Sequence, residues 1–281
     1  MTLAPPTRLP TRRDEAWRYS DLEAVASVWP VAEESVIVAP GEQLHRQLVF
    51  APTIDDAVGQ RVRSPWGGGA DQRHVWESRQ MEDGDVLVHH IAISVGRDAR
   101  CDFHILAAGG HFGRIALDVT LHQGAHFELG GVIIGGGEQT LEIVTTLRHV
   151  EPDATSNQIV RSVLGGRATG SYLGKVAVAR HAQKTDASQS FRAMLLTRAA
   201  TANAKPELEI FADDVKCTHG AAIGELDATA LFYLESRGIA PAAAKAMLLR
   251  AFVGGVFDDI EDEAVREKLD ATALAALEQM L

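Results

Sequence analysis

Two residue types that can hold a soft metal, Cys217 and His219, stand two positions apart. Asp213, Asp214, Val215 and Lys216 lead into them and Gly220 follows. In an extended segment residues i and i+2 share a face, so a thiolate and an imidazole would project together. That pair suits iron, zinc or a fragment of an iron–sulfur cluster. Charge from the neighbouring lysine or from a histidinium would favour the thiolate. A buried cysteine near a strand end with an incidental histidine is the plainer reading, and the residues alone leave both open. A conventional cluster needs about four protein ligands, mostly thiolates. This chain has two cysteines, and nothing places Cys101 near Cys217. Any iron or cluster at Cys217 and His219 must therefore take its remaining ligands from another chain, so an interface site is expected rather than an internal one.

Other familiar constellations are missing from the sequence. Gly174–Lys175 is followed by Val176 and lacks the first glycine of a phosphate-cradling loop, and Gly135–Gly136–Gly137 follows no βαβ pattern. There is no G-x-S-x-G elbow and no pair of C-x-x-C motifs. The chain is expected not to be an enzyme. Of the eleven histidines, His122 and His126 flank Gly124, His89 and His90 point to opposite faces of any strand, and His104, His111 and His149 stand alone. These are read as exposed or hydrogen-bonded side chains rather than ligands.

The elements that must position Cys217 and His219 are legible in the patterning. A chain of 281 residues with 46% hydrophobic and 23% charged residues folds around a sizeable core and is not disordered. No apolar run is long enough for a transmembrane helix, and Met1 to Pro10 is proline-rich without the apolar stretch of a signal peptide, so a cytoplasmic protein with reduced thiols is expected. Residues 206–281 hold fifteen acids against six bases and carry most of the net charge of −11, which argues against nucleic-acid binding.

Three segments follow from composition: an amino-terminal segment over 1–30, a β core over 31–222 and a helical region over 223–281. In the first, Asp14 to Tyr19 predicts one or two helical turns anchored by Trp17, too short to stand without docking. In the second, apolar residues alternate through Ile91, Ile93 and Val95, Cys101, Phe103 and Ile105, Ile115 to Leu121, and Phe127 and Leu129. This is the pattern of half-buried strands. Phe103, Ile115 and Phe127 recur every twelve residues, which suits a sandwich or the coils of a β-solenoid. Asn-Gly and Asp-Gly hairpin signals are scarce, Asp83–Gly84 being the only instance, which gives the solenoid some weight. In the third, Asp227 caps a helix that Gly238 stops. Pro241 starts a second helix with an apolar stripe through Met247, Leu248, Phe252, Val253 and Val256, which Gly254–Gly255 interrupts, and a third runs from Glu263 to Leu281.

The segments Gly174 to Ala179, Gln183 to Asp186, Lys205 to Ile210, Asp213 to Ala221 and Leu231 to Gly238 closely resemble the SufB/SufD family of iron–sulfur cluster assembly scaffolds. Glu15, Trp17, Tyr19, Asp21 and Leu22 resemble that family's amino-terminal signature. Gly220, where SufB-like chains tend to carry Glu, favours the SufD branch. The resemblance implies a mainly β fold with added helices: a parallel β-helix core, a carboxyl-terminal helical bundle and a short amino-terminal helical segment. It further implies a non-catalytic scaffold in complex with a SufB-like paralogue and a SufC-like ABC-type ATPase docked on the carboxyl-terminal helices. His219, with Cys217 beside it, would bind iron or a nascent cluster transiently at the paralogue interface, with nothing held stably by the isolated chain. An isolated copy could pair with itself. Gln183, Lys184 and Thr185 have a plain alternative as corner residues. The chain is shorter than family members usually are, with a reduced amino-terminal region.

Overall fold

Alternating side chains become a solenoid when each strand feeds the opposite sheet. The computed structural model describes residues 8–54, 62–63 and 72–281; Met1 to Thr7, with Pro5 and Pro6, lie outside them. In chain order the strands are β1 (Glu33–Val38), β2 (Gln43–Ala51), β3 (Val62–Arg63), β4 (Gln72–Gln80), β5 (Val86–Val95), β6 (Arg100–Ala108) and β7 (Phe112–Leu121). They continue as β8 (His126–Gly135), β9 (Thr140–His149), β10 (Thr155–Leu164), β11 (Thr169–Val178), β12 (Asp186–Leu195), β13 (Thr201–Ile210) and β14 (Lys216–Glu225). One sheet is ordered β1-β5-β7-β9-β11-β13, and the facing sheet β14-β12-β10-β8-β6-β2-β4-β3. Among the described residues only β3 pairs antiparallel, with β4.

Each coil uses about 30 residues and stacks in register on the one before: Thr155 beside His126, Asp186 beside Thr155, Lys216 beside Asp186. The twelve-residue spacing of Phe103, Ile115 and Phe127 is therefore a step between sheets, since Phe103 and Phe127 lie on β6 and β8 while Ile115 lies on β7. That resolves the choice between sandwich and solenoid. Corners replace hairpins, and they need the left-handed backbone that Gly124 adopts at φ 65°.

Inward residues of both sheets form one elongated core in which Leu48, Phe103, Ile115, Leu117, Phe127 and Leu129 are buried. Each such side chain contributes about 2 kcal/mol by leaving water. The outer face of the sheet containing β14 buries Val49, Leu106, Val132, Ile134 and Val163 against the carboxyl-terminal helices. These are α2 (Ala228–Ser236), α3 (Pro241–Gly254) and α4 (Glu263–Met280), preceded in the chain by α1 (Leu22–Val28). Asp227 and Asp262 cap α2 and α4 through side-chain oxygens that accept backbone N–H groups of the first turn. Leu249, Val253, Phe257, Leu269 and Leu277 form the contact, and α2 buries none of its residues. No helix among the described residues is long and apolar enough to cross a membrane.

The structure corrects two details. Strand geometry persists to Glu225, so Ile223 sits on β14 rather than at the start of the helical pattern. Gly254 and Gly255 end α3 instead of interrupting it, and Val256 is buried in the turn beyond the helix rather than on its stripe. The amino-terminal turn is a 3-10 turn, Glu15–Trp17, and the longer α1 follows it, capped by Asp21. This segment docks on the outer face of the other sheet. The Arg114 guanidinium stacks on the Trp17 ring at 3.9 Å, and Ser20 donates to Glu142 at 2.7 Å where Arg114 also pairs with it. Lys205 on β13 forms an ion pair with Glu15.

Candidate functional site

Among the described residues, the solenoid ends without a cap. β14 pairs with β12 on one side only and β13 with β11 on one side only, so each presents a free backbone edge. Pro206, which donates no hydrogen bond, is tolerated in β13 because that strand is an edge. Alternation settles which way the side chains of β14 point. Ala187, Gln189, Phe191 and Ala193 of β12 are buried, and their register partners on β14 are Cys217, His219, Ala221 and Ile223. Cys217 packs against the interior core with Val215, so this row faces inward. With no coil beyond it, His219 is exposed and Ile223 is 48% exposed.

The structure thus brings Cys217 and His219 onto one face at the open end, as the i and i+2 spacing requires. Cys101 lies four strands below in the same column, in which Cys101, Phe127, Ser156, Ala187 and Cys217 occupy successive strands. At about 4.8 Å per strand the two sulfurs are separated by roughly 19 Å and cannot meet. Burial pushes the Cys101 thiol far above the ordinary range.

The charge at Cys217 differs from the sequence expectation. Partial burial and, after it, the Asp186 carboxylate raise the Cys217 pKa, so the thiol holds its proton. Lys216, exposed on the outward face beside its register partner Asp186, does not offset them. The His219 ring makes no hydrogen bond or ion pair among the described residues, and no three His, Cys, Asp or Glu side chains among them group as a metal site.

The remaining histidines examined in the sequence are hydrogen-bonded or ion-paired. His89 bonds Glu34 at 3.1 Å, His90 bonds Asp118 at 3.0 Å, and His104 bonds Asp259 at 3.1 Å. His111 reaches Asp21, His122 reaches Glu151, and His126 reaches Thr155 and Glu128. His149 shares a 3.0 Å hydrogen bond with Ser156, and burial lowers its pKa to about 4. Gln183, Lys184 and Thr185 are corner residues. Lys184 takes φ 63° and pairs with Asp214, the Asp214 N–H donates to Gln183 Oε1 at 2.9 Å, and Thr185 donates to the Ala182 carbonyl. They brace the corner from which β14 departs.

Sequence reading missed a set of polar side chains inside the solenoid beneath His219. Gln158 accepts hydrogen bonds from Thr145 at 2.7 Å and from Tyr172 at 3.2 Å, and Gln189 lies one coil above it. Ser156, Gln158 and Gln189 have the look of a solvent-facing row, and only their period-two placement between buried apolar neighbours signals an interior position. A second surface lies on the helices, where Phe232 and Tyr233 of α2 are 70% and 56% exposed and Met247 of α3 is also uncovered.

Comparison with known proteins agrees with this architecture. Residues 36–252 match the SufBD core domain of the SUF system for iron–sulfur cluster assembly. The chain is 33% identical over 205 residues to an iron–sulfur cluster assembly SufBD family protein of Synechocystis sp., an overlap of 72% of this chain and 45% of that one. It is 29% identical over 187 residues to the iron–sulfur cluster assembly protein SufD of Escherichia coli, covering 65% and 44%. To the chloroplastic protein ABCI7 of Arabidopsis thaliana it is 34% identical over 180 residues, covering 62% and 38%. The chain spans less than half the length of these three curated relatives.

Proposed function

The chain belongs to the SufBD family of iron–sulfur cluster assembly proteins, and we propose that it serves there as the SufD-type, non-catalytic half of a scaffold. Its open end would meet a SufB-like paralogue, and a nascent cluster, the cargo of the complex, would form where the two solenoids face each other. The observation that carries this reading is the uncapped coil, which places Cys217 and His219 together on the inward face of a strand with a free edge. One thiol and one imidazole fall short of the ligand set of a cluster, so a second chain must complete it. The proton on Cys217 supports the same division of labour. In the isolated chain burial and Asp186 favour the neutral thiol, and a metal ion or cation brought to the open end would favour its release.

A SufC-like ATPase would dock on α2 and α3, where Phe232, Tyr233 and Met247 remain uncovered. ATP hydrolysis would belong to that partner, and its motion would reach the solenoid through the packing of α3 and α4 on the outer sheet face. The same free edges at β13 and β14 would let an isolated copy pair with itself.

The test is anaerobic co-expression of this chain with SufB-like and SufC-like chains from the same source, followed by size-exclusion chromatography with light scattering. A stable three-component complex is expected. Elution of this chain apart from both others would overturn the scaffold reading.

A further inference from the structure

Phe103, Leu129, Gln158, Gln189 and His219 occupy one register position on five successive strands, and above Leu129 the column is polar up to the open end. Gln189 is the anomaly within it. The residue is 3% exposed, yet neither its carboxamide oxygen nor its nitrogen has a hydrogen-bond partner. Buried amides are normally satisfied, and an orphaned one in a folded core calls for a partner. Below it, the Gln158 oxygen accepts from Thr145 and Tyr172, while the Gln158 nitrogen is without a partner as well. Beside it, Gly174 keeps the space open: a Cβ there would lie 2.6 Å from the Gln189 oxygen and would collide with the Tyr172 hydroxyl. Above it stands His219, inward on the next strand at the usual spacing of about 4.8 Å, with a ring that has no partner either.

Resting on the reading of His219 as a ligand, we propose that Gln189 is its positioning residue. The carboxamide oxygen accepts the N–H of the ring nitrogen turned toward the interior, and the carboxamide nitrogen is left to donate to the free lone pair of the Tyr172 hydroxyl. The hydrogen bond fixes the tautomer, so the outward nitrogen carries the lone pair that binds iron. Metal-ligating histidines characteristically donate their second ring N–H to an oxygen in this way, and losing that oxygen lowers metal affinity or activity by about 10–100-fold. The chain Thr145–Gln158–Tyr172–Gln189–His219 then ties the exposed imidazole to the buried core.

Gln189→Met removes both polar atoms while keeping the length of the side chain, and Gln189→Leu is the second variant should Met pack poorly. Nitrogen-15 NMR of the His219 ring in the full chain reads the tautomer, thermal unfolding reads the fold, and reconstituted cluster yield in the three-component complex reads the consequence. The wild type is expected to show a single fixed tautomer. The variant is expected to lose it, to unfold at a slightly lower temperature as the bonds to His219 and Tyr172 go, and to yield about tenfold less cluster. An unchanged ring spectrum in both variants, or a lowered unfolding temperature in both with the ring unaffected, would overturn the assignment and mark Gln189 as packing. His219→Ala is measured alongside. If that change leaves the yield intact, the ligand reading fails, while the ring spectra still decide whether Gln189 holds the imidazole.

Discussion

Phe103 and Leu129 in the middle coils and His219 in the last coil share one column of the same sheet, yet physics asks different things of them. The lower residues have a coil on either side and a facing sheet across the interior, so they are buried and their worth is in packing. His219 has a coil below and none above, so the position that makes core elsewhere becomes surface. A solenoid converts an interior row into a presented row simply by stopping. The Cys101 column does the same, running from a thiol sealed in the core to Cys217 at the open end. The comparison teaches that the terminal coil can carry chemistry at little expense in stability, because its inward residues are not yet committed to packing.

The difference can be broken by substitution. Phe127→Ala in a middle coil is expected to cost about 3–5 kcal/mol in urea unfolding, since a fully buried ring leaves a cavity between two coils. His149 gives a pH test of the same enclosed region. Its pKa falls from 6.5 unfolded to about 4 in the fold. The unfolded chain therefore binds the proton more readily, and the stability contributed is full above about pH 6.5 and lost as pH falls toward 4. The loss is on the order of 3 kcal/mol. Urea midpoints across that range should decline, and His149→Gln should flatten the decline relative to wild type.

Effects become smaller toward the open end. Gln183→Ala removes the hydrogen bond to the Asp214 backbone that braces the corner before β14, and about 1 kcal/mol is expected from unfolding curves. His219→Ala should change stability by no more than about 1 kcal/mol, the worth of one hydrogen bond at an exposed side chain. A loss comparable with that of Phe127→Ala would erase the contrast between the two ends of the column. Cys217 sharpens it chemically. Its alkylation should follow a pH profile displaced upward from that of an ordinary thiol, and Asp186→Asn should move the profile back down by removing the nearby negative charge.

Much of this arrangement was legible in the residues. The alternation in Ile91 to Val95, Cys101 to Ile105 and Ile115 to Leu121 appears as β5, β6 and β7, and Asp227, Gly238 and Pro241 punctuate the helices where capping chemistry places them. The pairing of Cys217 and His219 on one face followed from extended geometry alone. What escaped reading depends on contacts between distant residues. Only period-two placement among apolar neighbours signals that Gln158 and Gln189 face inward, because polar residues at strand spacing ordinarily face water. Sequence does not reveal that the Cys217 thiol is held protonated, since that depends on burial against β12 and on which way Asp186 and Lys216 turn. Gly254 and Gly255 read equally well as a weak point or an end, and the turn that buries Val256 and Phe257 decides for an end.

The most direct test of the account is cluster reconstitution, under anaerobic conditions, in a complex of this chain carrying His219→Ala with SufB-like and SufC-like partners from the same source. The account expects the complex to assemble as the wild type does and its cluster yield, followed by visible absorption and bound iron, to fall severalfold. A yield equal to that of the wild-type complex would contradict it and remove the open end of the solenoid from the chemistry.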